Sequence, residues 1–110
     1  MDLDDTLIAL ADPTRRAILQ RLSQGEARVT ELAAPFEISL NSVSKHIRIL
    51  ERAELVVRTV SGREHVLAFN PAPLDEAQAW IQAHRDFWNQ QLDELEARLA
   101  ADAPPQRRKP

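Results

Sequence analysis

The apolar side chains of residues 39–69 change from a helical period to an alternating one. In residues 39–53 they recur at steps of four and three, which predicts an amphipathic helix that begins at the N-cap Ser39. Residues 55–69 alternate instead and flank Ser61 and Gly62, which predicts a β-hairpin with those two residues in its turn. A short apolar segment before Ser39 adds a second helix, and two helices joined by a short turn are typical of a helix-turn-helix.

The rest of the chain predicts helices on both sides of this unit. Asp12 and Pro13 form an N-cap and first helical residue, and a long amphipathic pattern covers residues 74–101. The expected fold is mostly α with a small β-hairpin, a winged helix-turn-helix in the order α-α-α-α-β-β-α. We expect one domain over residues 1–102, with the helix-turn-helix at about 29–53, the wing at 55–69 and a dimerisation helix at 74–101. The Pro-rich basic tail, residues 103–110, is predicted to be disordered.

The charge distribution favours a nucleic-acid partner for the helix and hairpin. The net charge of the 110-residue chain is −3, yet residues 41–66 hold five basic and three acidic side chains. Residues 1–40 and 67–102 are both acidic on balance. Chance scatter of charge on a solvated surface is the alternative explanation.

The outer face of the helix at residues 40–53 is crowded with short polar and basic side chains. Ser and Asn are poor helix formers, so their cluster in the first turns favours contact with another polar surface over simple solvation. Asn can pair with adenine, and Lys and Arg suit phosphate oxygens or guanine. The predicted DNA-binding residues are Ser39, Asn41, Ser42, Ser44, Lys45, His46, Arg48, Arg58 and Arg63.

Three blocks of sequence resemble the ArsR-type family of small dimeric repressors, over roughly residues 5–100. They are ALADPTRRAILQRL, VTELAAPFEISLNSVSKHIRILERAELV and SGREHVLAFNPAPL, in the family's order and at its intervals. The resemblance implies a homodimer built from the first and last helices, one winged helix in each subunit, and binding to a palindromic operator in double-stranded DNA. The acidic start without a signal-peptide pattern and the absence of cysteine make the cytoplasm the expected location. The chain has no arrangement of residues typical of a catalytic site, and we expect a repressor of transcription rather than an enzyme.

The long last helix carries apolar residues at nearly the period of a coiled-coil seam, with a histidine among them. Packing between two copies of this helix explains that pattern, and a small-molecule pocket among its aromatic residues is the alternative. The predicted dimer-interface residues are Leu7, Leu74, Ile81, His84, Trp88, Leu92, Leu95 and Leu99.

An effector site is the least determined feature of the sequence. The chain has no cysteine, so the family's thiolate metal site is absent, and the order His84-x-Asp86 reverses the Asp-x-His pattern of its other metal site. We therefore expect no metal and no cofactor, with the effector unknown. Two alternatives stay open: a metal- or small-molecule-responsive repressor with its site around His84, and a protein-interaction module, which the basic balance of residues 41–66 disfavours. No apolar run is long enough for a membrane span.

Overall fold

The computed structural model describes residues 2–102. Its elements are α1 (Leu3–Leu10), α2 (Pro13–Leu22), β1 (Ala27–Arg28), α3 (Val29–Ala33), α4 (Leu40–Arg52), β2 (Val56–Ser61), β3 (Glu64–Phe69) and α5 (Ala72–Asp102). The expected winged helix-turn-helix is confirmed, with one addition: the two-residue strand β1, which the sequence pattern did not reveal. The predicted disordered tail, residues 103–110, lies outside the described residues.

The described chain divides into two compact units after Ala77. The core of the first unit is formed by apolar side chains from α1–α4 and from all three strands. It includes Ile18, Val43, Ile47, Leu50 and Leu67, all with no exposed surface. Three of these five come from α4, so the inner face of that helix is fixed by burial and its outer face is left to solvent.

The first two helices are joined through two arginine side chains. Arg15 donates from Nε to the Ala9 carbonyl at 2.9 Å and from Nη2 to the Ile8 carbonyl at 2.8 Å. Arg16 donates to the Leu10 carbonyl at 2.8 Å. These carbonyls lie in the last turn of α1, where cations are favourable, and the Ile8 carbonyl also accepts the Ala11 N–H at 3.2 Å. This contact explains why two basic residues lie at the start of α2, where its own dipole disfavours them.

The sheet is antiparallel, with the strand order β1-β3-β2. Ser61 pairs with Glu64, so the turn of the hairpin is Gly62–Arg63. The prediction of Ser61–Gly62 as the turn was wrong by one residue. Gly62 has φ +62°, the left-handed conformation that the first position of such a turn needs and that glycine adopts without a steric penalty.

The end of α4 contains a left-handed residue that is not glycine. Glu54 has φ +60°, and its N–H donates to the Glu51 carbonyl at 2.9 Å. The next N–H, that of Leu55, donates to the Leu50 carbonyl at 3.0 Å. These two bonds form a Schellman motif, in which glycine is the usual residue. The motif turns the chain from α4 directly into the hairpin.

The second unit is the continuation of α5 beyond Ala77. Every described side chain from Gln78 to Ala101 is exposed, including the large apolar residues of the predicted stripe. None of the described helices is long and apolar enough to cross a lipid bilayer.

Candidate nucleic-acid interface

The outward face of α4 presents a continuous stripe of hydrogen-bonding and basic side chains. Asn41, Lys45, Arg48 and Arg52 follow one another at steps of four, three and four, and all four are exposed. The opposite face, with Val43, Ile47 and Leu50, is buried in the core. The helix is therefore held by one side and offers the other as a straight, positively charged edge.

Arg52 is the residue that the sequence prediction missed on this face. It lies eleven positions after Asn41, which places it three turns along the same side of the helix. The same spacing that connects Lys45 and Arg48 to Asn41 could have identified it. We refer to Asn41, Lys45, Arg48 and Arg52 as the outer stripe of α4.

The serine hydroxyls at the start of α4 serve the helix itself. Ser39 is the N-cap, as predicted, and its Oγ accepts a hydrogen bond from the Ser42 N–H at 3.1 Å. The Ser39 and Ser42 hydroxyls also lie 3.0 Å apart, within hydrogen-bond distance. Ser42 and Ser44 are half-buried at the edges of the helix, whereas Ser39 is exposed. The DNA contacts of these three serines therefore stay a prediction. Such contacts would be made from the edge of the outer stripe.

His46 lies on the side of α4 that faces the start of α2. Its side chain is 23% exposed, and its Nδ1 is 3.8 Å from Asp12 Oδ2 and 3.2 Å from Arg15 Nη1. The hydrogen bond that Asp12 accepts from the Arg15 N–H lowers the pKa of this carboxyl; burial opposes that shift, and the charges of His46 and Arg15 add to it. His46 therefore connects α4 to the start of α2. Its predicted contact with DNA stays a prediction.

The two wing arginines have different environments. Arg58, in β2, forms an ion pair with Glu51 of α4, with Nη2 2.8 Å from Oε1 and Nε 3.2 Å from Oε2. Its Nη1 also lies 3.0 Å from His65 Nδ1. The hydrogen bonds to Glu51 raise the pKa of Arg58, against a smaller effect of burial. Arg63, in the turn, is exposed, and among the described residues it has no ion pair.

A basic cleft of about 350 Å³ lies between the start of α3 and the wing. Arg28 forms one wall, where it binds Glu31 at 3.1 Å and Glu64 at 3.3 Å. The glutamates compensate part of the charge of Arg28, so Arg63 is the cation of this cleft that is left for a partner. The lining residues are Arg28, Val29, Thr30, Arg58, Arg63, Glu64 and His65.

The predicted dimer-interface residues are mostly solvent-exposed in the single chain. Trp88 is 63% exposed and Leu92 53%. Leu74 differs, because it packs against the core of the first unit. His84 stacks on Trp80 with ring centroids 3.9 Å apart, and its Nδ1 lies 2.8 Å from the Trp80 carbonyl. The other predicted residues are Leu7, Ile81, Leu95 and Leu99, all exposed.

The His84 region shows no ligand set for a metal. Within residues 2–102, no three His, Asp or Glu side chains come together in an arrangement that could hold an ion. His84 is instead engaged with its own helix through Trp80.

Residues 10–59 match a helix-turn-helix domain family. The transcriptional regulator Rv2034 of Mycobacterium tuberculosis is 39% identical over 76% of this chain and 76% of its own length. The transcriptional repressor SdpR of Bacillus subtilis is 32% identical over 72% of this chain and 88% of its own.

Two solved structures extend the comparison to the fold. The ArsR family transcriptional regulator RHA00566 is 41% identical, with a TM-score of 0.76 over 79% of this chain and 96% of that one. The homodimeric winged helix-turn-helix domain Mb0332 of Mycobacterium bovis is 26% identical, with a TM-score of 0.58 over 76% and 81%. The chain therefore belongs to the ArsR family of winged helix-turn-helix, DNA-binding transcriptional regulators.

Proposed function

We propose that the protein is a homodimeric transcriptional repressor that binds a palindromic operator, with α4 of each subunit in the major groove. The outer stripe of α4 carries the proposal, because it combines Asn41 with three exposed cations on one straight edge. An α-helix fits the major groove, where every base pair presents a distinct pattern of donors and acceptors. Two copies related by a twofold axis would reach successive grooves, roughly 34 Å apart.

The expected role of each residue in DNA binding follows from the chemistry of its side chain. Lys45, Arg48 and Arg52 suit phosphate oxygens, which supply most of the affinity, and either arginine also suits guanine. Asn41 suits adenine, through a paired hydrogen bond to N6 and N7. Arg63, at the tip of the wing, extends the contact to the flanking backbone. Arg58 contributes by fixing the wing to α4 through Glu51.

The apolar stripe of α5 supports the homodimer. Ile81, Trp88, Leu92, Leu95 and Leu99 lie along one side of an exposed helix, and burial of such a surface against a second copy is strongly favourable. The similar domain Mb0332 is described as homodimeric and SdpR as a repressor, and both descriptions agree with this proposal. A regulator of this kind would act in the cytoplasm, on chromosomal DNA.

We further propose that repression needs no metal. The absence of cysteine and the engagement of His84 with Trp80 support this view over a sensor. Calorimetry with zinc on the wild type and on His84→Ala tests it. Tight binding that is lost in the variant would instead favour a metal-responsive repressor.

The experiment that tests the proposed function is selection of bound DNA from a random pool, followed by titration of the selected duplex. We expect an inverted repeat, one dimer per duplex, and an affinity that falls steeply with salt. A selected sequence without twofold symmetry, or binding by a monomer, would contradict the proposal.

A further inference from the structure

An apolar side chain is exposed at the very start of α4, the helix that we assign to DNA. Leu40, the first residue of the helix, is 52% exposed, next to the exposed Asn41. Ile38, two residues earlier, is 41% exposed. An apolar surface is therefore exposed beside Asn41 and one turn before Ser44 and Lys45.

Leu40 lies outside the core of the first unit. Ile38 precedes the N-cap, where an apolar residue commonly packs against the residue four positions into the helix, here the buried Val43. Neither Ile38 nor Leu40 belongs to the core or to the apolar residues packed against it, and Leu40 does not occupy the position before the N-cap. Leu40 lies three residues before Val43 and seven before Ile47, so it continues the inner side of α4 past the edge of the core, where it stays half exposed.

The major groove offers one apolar group to a side chain, the C5-methyl of thymine. Residues at the amino-terminal end of a recognition helix are those that contact base edges. We propose that Leu40 is a specificity residue, which packs against a thymine methyl in each half-site. The inference rests on the proposed function and deepens it: Leu40 and Asn41 would read A·T pairs through an apolar and a hydrogen-bonding contact respectively.

Replacement of thymine by uracil tests this contact, because it removes the methyl and leaves the pairing edge intact. Each thymine of the selected operator is replaced in turn, and affinity is measured by fluorescence anisotropy. At one thymine in each half-site we expect wild-type affinity to fall about fourfold, the effect of one buried methyl-sized group. Uracil outside both half-sites should have no effect.

Two variants assign the effect to Leu40. Leu40→Gln has a similar size but a polar end, and it should bind the thymine and uracil operators equally. Leu40→Met stays apolar and should keep the discrimination. Because Leu40 is half exposed, both variants should unfold at close to the wild-type temperature.

The outcomes separate the two proposals. If the wild type binds its operator but uracil has no effect at any position, or an equal effect in Leu40→Gln, the role of Leu40 is overturned and the proposed function stands. If the wild type selects no sequence, the proposed function fails, and the role of Leu40 fails with it.

Discussion

Arg58 and Glu51 join the wing to α4 through two hydrogen bonds, of 2.8 and 3.2 Å, between guanidinium and carboxylate. A guanidinium held in this way has little freedom to turn toward phosphate. Arg63, at the turn, has no such partner among the described residues. The wing arginines therefore have separate roles, one in positioning and one in contact.

Substitution of each wing arginine distinguishes these roles. We expect Arg63→Ala to lower the slope of log affinity against log salt by about 0.9 for each phosphate that the arginine no longer neutralises. Arg58→Ala should leave that slope near the wild-type value and lower the midpoint of urea unfolding instead. A salt slope that falls for Arg58→Ala but not for Arg63→Ala would reverse the assignment.

The outer stripe of α4 makes its own prediction for salt dependence. Lys45→Gln and Arg52→Gln should each weaken binding to all DNA sequences, and each should reduce the salt slope by about 1.8 per dimer, for two phosphates. The matched control is Arg98→Gln, which removes the same charge from an exposed site on α5. An equal effect of the control would mean that only net charge matters, and not the position of the stripe.

The apolar stripe of α5 predicts how the dimer can be separated. Leu92→Glu places a charge within the stripe and should shift the protein to a monomer in native mass spectrometry, with a large decrease in operator affinity. Circular dichroism should show that the helices remain. Gln90→Glu, on the opposite side of the helix, adds the same charge and should leave the dimer intact. A dimer that survives Leu92→Glu would place the subunit interface elsewhere.

The left-handed conformation of Glu54 is costly for any residue with a Cβ atom. Glycine adopts φ +60° freely, whereas other residues lose about 1 kcal/mol there. Glu54→Ala removes the interactions of the side chain but keeps the Cβ atom. We therefore expect Glu54→Gly to be more stable than Glu54→Ala by about 0.5–1 kcal/mol in urea unfolding. Equal stability of the two variants would show that the turn carries no such strain.

The N-cap of α2 predicts a dependence of stability on pH. The folded pKa of Asp12 is lowered below 3.8, first by the hydrogen bond from the Arg15 N–H. A lowered folded pKa means that the carboxylate stabilises the fold above the unfolded pKa, and that this contribution is lost as pH falls through the folded pKa.

Asp12→Asn keeps the cap but cannot titrate, so it isolates this contribution. The free energy of unfolding of the wild type, relative to Asp12→Asn, should decline as pH falls below about 5. Parallel pH profiles for the two proteins would contradict the assignment. Asp12→Ala, which loses the cap as well, should be destabilised by about 1 kcal/mol at neutral pH.

Local patterns were sufficient to predict α4, its N-cap and the hairpin. The period of Val43, Ile47 and Leu50 follows from burial of one face, and that burial is what the structure shows. The hairpin turn and Arg52 were missed although their signals are local, whereas strand β1 depends on a partner distant in sequence. Strand β1 is only two residues long and exists because Ala27 and Arg28 pair with β3.

Contacts between side chains of different elements could not be predicted from the sequence pattern either. Glu51 lies seven residues before Arg58, and only the turn at Glu54 brings them together. His46 shares α4 with the outer stripe, but its position beside the buried face directs it to Asp12 and Arg15. Charge alone could not distinguish Arg58 and His46, which have partners within the fold, from Lys45 and Arg48, which are exposed.

A dimethyl sulfate footprint on the selected operator tests most directly whether the outer stripe lies in the major groove. The reagent methylates guanine N7 in the major groove and adenine N3 in the minor groove. We predict protection of guanine N7 in two patches on one face of the duplex, about 10 base pairs apart from centre to centre. Protection confined to adenine N3, or to a single patch at saturating protein, would contradict the placement of two copies of α4 in successive major grooves.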